Sequence, residues 1–173
     1  MPINLELKAR YASADEARAR AAACGASPGG VLLQQDTYFR VPRGRLKLRE
    51  TRGERGELIY YERPEETAER WSRFTREWLG DGAGAGRVLA EALGVLATVR
   101  KRRELYLFRD ARIHIDEVEE LGTFVEFEVT GGENSATLAT MKELRSAFGI
   151  VESAVIKVSY SDMILAKRIS GGS

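Results

Sequence analysis

The chain has 173 residues, with 27 Lys and Arg against 26 Asp and Glu, so its net charge of +1 supplies no general attraction to nucleic acid. A single cysteine rules out an internal disulfide, and no run of about 18 apolar residues marks a membrane span. With 43% hydrophobic and 31% charged residues, the composition is that of a soluble globular domain long enough for a real core.

The N-terminus shows no basic stretch leading into an apolar core, so no secretory signal is expected and the cytoplasm is the expected compartment. Residues 3–9, INLELKA, alternate strictly and predict a strand. Ser13, with Glu16 three residues on, reads as the capping box of an Ala- and Arg-rich helix over 14–24. Gly25 ends it. Arg18 and Arg20 are expected on its solvated face, and Cys24 as a small buried side chain. Strands are predicted at 31–41, 45–51, 58–63 and 70–79. Residues 81–86 are Gly-rich but lack the Lys-Ser/Thr ending of a phosphate loop, and read as a flexible connection before a helix at 87–96. Long strands at 98–109 and 111–118 form a hairpin over Arg109-Asp110, and a further strand covers 123–130. Leu138, Met141, Leu144 and Phe148 give an amphipathic helix over 135–148. SYSDMILA predicts a short final helix. About eight antiparallel strands with few helices make an α+β fold, and eight strands can close into a barrel. The expectation is one domain over 1–168 with a frayed tail at 169–173.

Strand alternation sorts the charges. Asn4, Glu6 and Lys8 share a face, as do Arg45, Lys47 and Arg49; Lys101 and Arg103; Arg112, His114 and Asp116; and Glu126 and Glu128. Opposite them stand Leu5, Leu7, Leu48, Ile113, Ile115, Val125, Phe127 and Val129. Either the charged faces are wetted by bulk water, or the sheet curls around them. Like charges two apart on a strand lie roughly 6.5–7 Å from each other. Arg45, Lys47 and Arg49 would therefore repel unless something anionic joined them. A basic cluster beside a separate carboxylate cluster suits a metal–polyphosphate ligand.

Asn4-Leu5-Glu6-Leu7-Lys8 resembles the ExExK signature of the CYTH superfamily, the triphosphate tunnel metalloenzymes. QQDTYF, RLKLRE, LIYYERP, VRKRRELYLF, HIDEVEELGTFVEFEV and SYSDMIL follow in that family's order. The resemblance implies an eight-stranded antiparallel closed β-barrel, a tunnel with charged residues inside and flanking helices outside. It implies Lys8, Lys47, Arg49, Arg63, Lys101 and Arg103 as triphosphate ligands, and Glu6, Glu126 and Glu128 as ligands of Mg²⁺ or Mn²⁺. Lys8, Arg49, Lys101, Arg103 and Asp116 are the implied catalytic set. Two departures stand out. Asn4 replaces the first Glu of the signature. Glu62 sits where the family often has an inward Lys, which leaves Arg63 to compensate.

His114 reads as a hydrogen-bonded neighbour of the carboxylates, Trp71 and Trp78 as packing or rim residues, and Asp36 and Tyr38 as residues near the tunnel mouth. The expected activity is hydrolysis of the terminal phosphoanhydride of a triphosphate such as ATP, tripolyphosphate or thiamine triphosphate. A class IV-like adenylyl cyclase and a non-catalytic polyphosphate- or nucleotide-binding protein are the alternatives. No nucleic-acid or membrane partner is expected, and the chain is expected as a monomer or homodimer.

Overall fold

The computed structural model describes residues 3–62 and 70–171. Eight strands close into an antiparallel barrel: β1 (Ile3–Arg10), β2 (Ser27–Phe39), β3 (Arg45–Thr51), β4 (Gly56–Glu62), β5 (Arg70–Leu79), β6 (Val95–Phe108), β7 (Ala111–Val118) and β8 (Gly122–Thr130). Around the barrel the order is β1-β5-β4-β3-β2-β6-β7-β8, and β8 pairs back onto β1 with Leu5 opposite Val129 and Lys8 opposite Glu126. Of the two arrangements the alternation allowed, the curled one is therefore adopted. Among the described residues no helix is long and apolar enough to cross a membrane.

The outward faces of the strands are apolar where helices cover them. Leu5, Leu7, Ile113, Ile115, Val125, Phe127 and Val129 are buried together with Ala14, Ala17 and Ala21 of α1 (Ala14–Ala23) and Met141, Leu144 and Phe148 in and beside α3 (Ser135–Ala147). The alanine face of α1 lets that helix lie close to the sheet. Leu138 stays half exposed, while Thr137, Thr140, Met141 and Leu144 form the buried face of α3. Both helices have a side-chain N-cap: Ser13 accepts from the Glu16 amide, one half of the expected capping box, and Asn134 accepts from that of Thr137.

Four elements depart most from the expected bounds. β2 and β6 begin four and three residues earlier than their alternation indicates, at Ser27 and Val95. The Gly-rich stretch is not a loop but the start of α2 (Gly82–Leu93), with Asp81 accepting from the Gly84 amide as its cap. The reason is close packing: a Cβ on Gly56 would come within 2.8 Å of the Gly82 Cα, and one on Gly86 within 3.0 Å of a Leu48 methyl. Helix and sheet meet here at backbone distance, which glycine permits. Finally, α4 (Tyr160–Ser170) is a full capping-box helix that runs two residues into the stretch expected to fray. Its Tyr160 and Ile164 pack against Tyr38, Tyr61, Val99, Val118 and Phe124, which point inward from the strands, so α4 lies across one end of the barrel.

Candidate functional site

The inward faces carry the charges. Residues on neighbouring strands that are paired in register share a face, and one continuous set runs around the interior: Glu6 beside Glu128, Glu128 beside Arg112, Glu126 beside His114, Asp116 beside Arg103, Asp36 beside Arg49, and Arg49 beside Glu57. Lys101 and Arg103 are both buried, on β6.

Two aspartates organise the cations. Asp36, only 2% exposed, accepts both guanidinium N–H bonds of Arg49 at 2.8 and 2.7 Å and the ammonium of Lys47 at 3.0 Å. Lys101 Nζ lies 3.7 Å from the same carboxylate. Burial opposes the charge on Asp36, but Arg49, Lys47 and Lys101 outweigh it and hold the carboxyl well below the usual range. Asp116 grips Arg103 through two bonds of 2.7 and 2.6 Å, and accepts from the Tyr160 hydroxyl at 2.9 Å. It too is kept ionised, Arg103 and Lys101 overcoming its burial. The lysines show the opposite balance. Burial, reinforced by Arg49, lowers Lys47 to about 8, with Asp36 pulling the other way. Burial and Arg103 also push Lys101 down.

The anion that the alternation of Arg45, Lys47 and Arg49 demands is thus built into the protein. Arg45 departs from the cluster, pairing at 2.8 Å with Asp162 of α4. Asp36 is not at a mouth but central, and Tyr38 lies under α4.

Lys8 bridges the two kinds of charge. Its ammonium is 3.4 Å from Glu126 and sits 4.0 Å over the Tyr160 ring. Arg103 reaches Glu126 at 3.6 Å. Burial raises the cost of charge on Glu126, yet Lys8 and Arg103 hold its carboxyl low. Glu128 is different: burial, Glu6 and Glu126 push it up, although Asn4 donates to it at 2.7 Å and Arg112 lies 3.6 Å away. The Asn4 amide group therefore serves as a donor to a carboxylate. His114 Nδ1, buried, stands 3.6 Å from Glu126, outside hydrogen-bond reach, so the expected hydrogen bond is not made. Burial and Arg103 lower that imidazole to about 4.

Among the described residues no three carboxylate, imidazole or thiol groups already form a metal cage. The donor set still fits a hard divalent cation. Glu6, Glu126 and Glu128 offer carboxylate oxygens from two paired strands, and Glu128 is raised by burial and by the carboxylates of Glu6 and Glu126.

Other expectations resolve differently. Arg63 lies outside the described residues, as does the Trp71 side chain. Glu62 faces solvent, where it pairs with Arg43 and accepts from Tyr60, so it is not an inward residue. Trp78 sits at a rim, 44% exposed, with Arg76 and Arg55 against its ring. Arg18 does not lie on a solvated face. Its guanidinium is bonded at 3.0 and 2.8 Å to Glu104, a buried acid on the outer face of β6. Arg20 is half exposed and pairs loosely with Glu16 at 3.8 Å.

Comparison with known proteins agrees with this geometry. The chain superposes on the PH1012 protein of Pyrococcus horikoshii with a TM-score of 0.84 at 22% identity, covering 94% of this chain and 98% of that one. A protein from Vibrio parahaemolyticus described as a putative adenylate cyclase gives 0.74 at 19% identity over 94% and 97%. The Hippeastrum protein HpAC1, a putative adenylyl cyclase described as having a dominant triphosphatase activity, gives 0.67 at 16% identity over 97% and 96%. No curated protein sequence is significantly similar to this chain. The family model for the CYTH domain matches residues 2–159, nearly the whole chain, and the protein belongs to the CYTH family.

Proposed function

We propose that this chain is a metal-dependent triphosphatase that grips a linear triphosphate inside the barrel and hydrolyses its terminal phosphoanhydride bond. One observation carries this reading: Lys8, Lys47, Arg49, Lys101 and Arg103, from three strands, line one interior beside Glu126 and Glu128. Guanidinium and ammonium groups in that arrangement match phosphates spaced along a chain.

In this reading Lys47, Arg49 and Lys101 hold the phosphates, while Lys8 and Arg103 stand next to the acidic side and stabilise charge on the reacting phosphoryl oxygens. Glu6, Glu126 and Glu128 would hold Mg²⁺ or Mn²⁺. When bound, such a cation supplies charge neutralisation and orients phosphate oxygens. Water attacks the terminal phosphorus, the bridging P–O bond breaks, and orthophosphate and the shortened phosphate ester or diphosphate leave. Asp116, ionised and occupied by Arg103 and Tyr160, is poorly suited to take a proton. Its part is to fix the plane of the Arg103 guanidinium. The Hippeastrum relative's triphosphatase activity supports the assignment.

The test is product analysis. The pure protein is incubated with tripolyphosphate, ATP or thiamine triphosphate plus Mg²⁺ or Mn²⁺. Metal-dependent orthophosphate release is the expected result. Cyclic AMP formed in step with pyrophosphate would replace this reading by adenylyl cyclase activity, and tight binding without turnover by a binding role.

A further inference from the structure

Asp36 sits on β2, the strand between β3 and β6 in the barrel. Only from that position can one carboxylate reach both walls, and it does so: Arg49 and Lys47 come from β3 and Lys101 from β6. Among the described residues its hydrogen-bond and ion-pair partners are all cations, and its side chain is closed off from solvent. Arg49 spends Nε and one N–H of Nη2 on this contact, leaving its other N–H groups available, and Lys47 spends one of its donors. A carboxylate so placed has two opposed meanings. It can occupy the place of a phosphate and compete with substrate, or it can gather cations that would otherwise repel.

We propose that Asp36 is a positioning residue for triphosphate binding, gathering Lys47, Arg49 and Lys101 and keeping them charged before the substrate arrives. The proposal rests on the triphosphatase reading above. Bidentate contact with Arg49 along with two ammonium groups leaves this wall net positive, so an anion still gains by entering. Two buried lysines beside two arginines tend to shed their protons without a nearby anion. The groups facing Lys47 are Asp36 and Tyr38 from β2, Arg49 on its own strand, Tyr61 from β4, and Lys101 and Arg103 from β6. Asp36 is the carboxylate among them. Removing its charge lowers Lys47 further, and the wall loses charge at a lower pH.

Calorimetric titration with tripolyphosphate between pH 7 and 9 tests this on the full chain, for the wild type, Asp36→Asn and Asp36→Glu, with circular dichroism to check folding. Asp36→Asn should weaken binding roughly 10- to 100-fold at pH 8, and its affinity should begin to fall at lower pH than the wild type's. A purely structural residue would leave that pH dependence in place. Tighter binding by Asp36→Asn makes Asp36 a competitor and overturns the proposal, and an unchanged pH profile overturns it as well. If Asp36→Asn does not fold, Asp36→Glu decides. The same charge displaced by one methylene should weaken binding several-fold, and equal affinity is the contrary result. A wild type that does not bind tripolyphosphate removes the triphosphatase reading and this proposal together. A wild type that binds while the variants match it removes only the proposal.

Discussion

On the basic side of the tunnel, built by β2, β3 and β6, Lys47, Arg49 and Lys101 share Asp36, and Arg103 is gripped by Asp116 of neighbouring β7. On the acidic side, built by β1 and β8, the charges are not matched in this way. Glu126 has Lys8 and Arg103, but Glu128 receives an amide N–H from Asn4 and a looser approach by Arg112, and its carboxyl is pushed up by burial and by Glu6 and Glu126. The basic side is assembled before any ligand arrives. On the acidic side Glu128 stays raised beside Glu6 and Glu126, the place a divalent cation would take in the reading proposed above. The contrast follows from the partners on adjacent strands: acid faces base across β2–β3 and β6–β7, whereas across β1–β8 Lys8 faces Glu126 but Glu6 faces Glu128.

The largest expected effect comes from breaking the matched side. Arg103→Ala strands the buried Asp116, so it should lower stability by about 3–5 kcal/mol in denaturant titration. It should also lower kcat/KM for tripolyphosphate by roughly 10²–10³-fold in phosphate-release assays. Next comes the mismatched side. Glu126→Gln should weaken Mg²⁺ or Mn²⁺ binding by roughly 10- to 100-fold in calorimetry, the chain remaining folded. Asn4→Glu should sharpen the contrast further, lowering the melting temperature of the metal-free protein while raising its metal affinity.

Smaller effects belong outside the tunnel. Arg18→Ala leaves the buried Glu104 short of its main partner and should cost about 1–3 kcal/mol, with kcat/KM unchanged within about twofold. That difference should depend on pH. Arg18 holds the Glu104 carboxyl below its unfolded value, so the stabilisation is complete above the unfolded pKa and fades as pH falls through the folded one. Wild type and variant should therefore converge in stability in acid. Arg20→Ala, removing a loose pair with Glu16 on the exposed face of α1, should change stability by no more than about 0.5 kcal/mol.

Much of this was legible in the residues because a barrel with a charged interior writes its inside and outside as a period of two. Leu5 and Leu7 against Glu6 and Lys8, or Val125 and Phe127 against Glu126 and Glu128, needed no structure to be sorted. What alternation cannot supply is the identity of cross-strand neighbours. Asp36 shares a face with the basic residues, yet only the β2–β3 register puts it opposite Arg49. For the same reason Arg18 looked solvated: its acid is 86 positions away on β6. The helical start at Gly82 was hidden because glycine ordinarily argues against helix. The close approach of Gly56 and Gly82 overrides that preference. Glu62 was misplaced by one residue, and in a strand one residue exchanges inside for outside.

The pairing of β1 with β8 has a consequence for how the chain comes to be folded. β1 is the first strand in sequence, and both of its neighbours, β5 and β8, arrive later, β8 more than a hundred residues on. During synthesis from the N-terminus β1 waits as an unpaired amphipathic strand while β2, β3 and β4 can already pair in sequence. Both its edges are satisfied only when residues 122–130 are available. Closure is thus a late, long-range event of the kind that slows folding. Until it happens, the Leu5 and Leu7 face and an open strand edge are exposed together. During that interval the open edge is a place where another copy of the chain can pair.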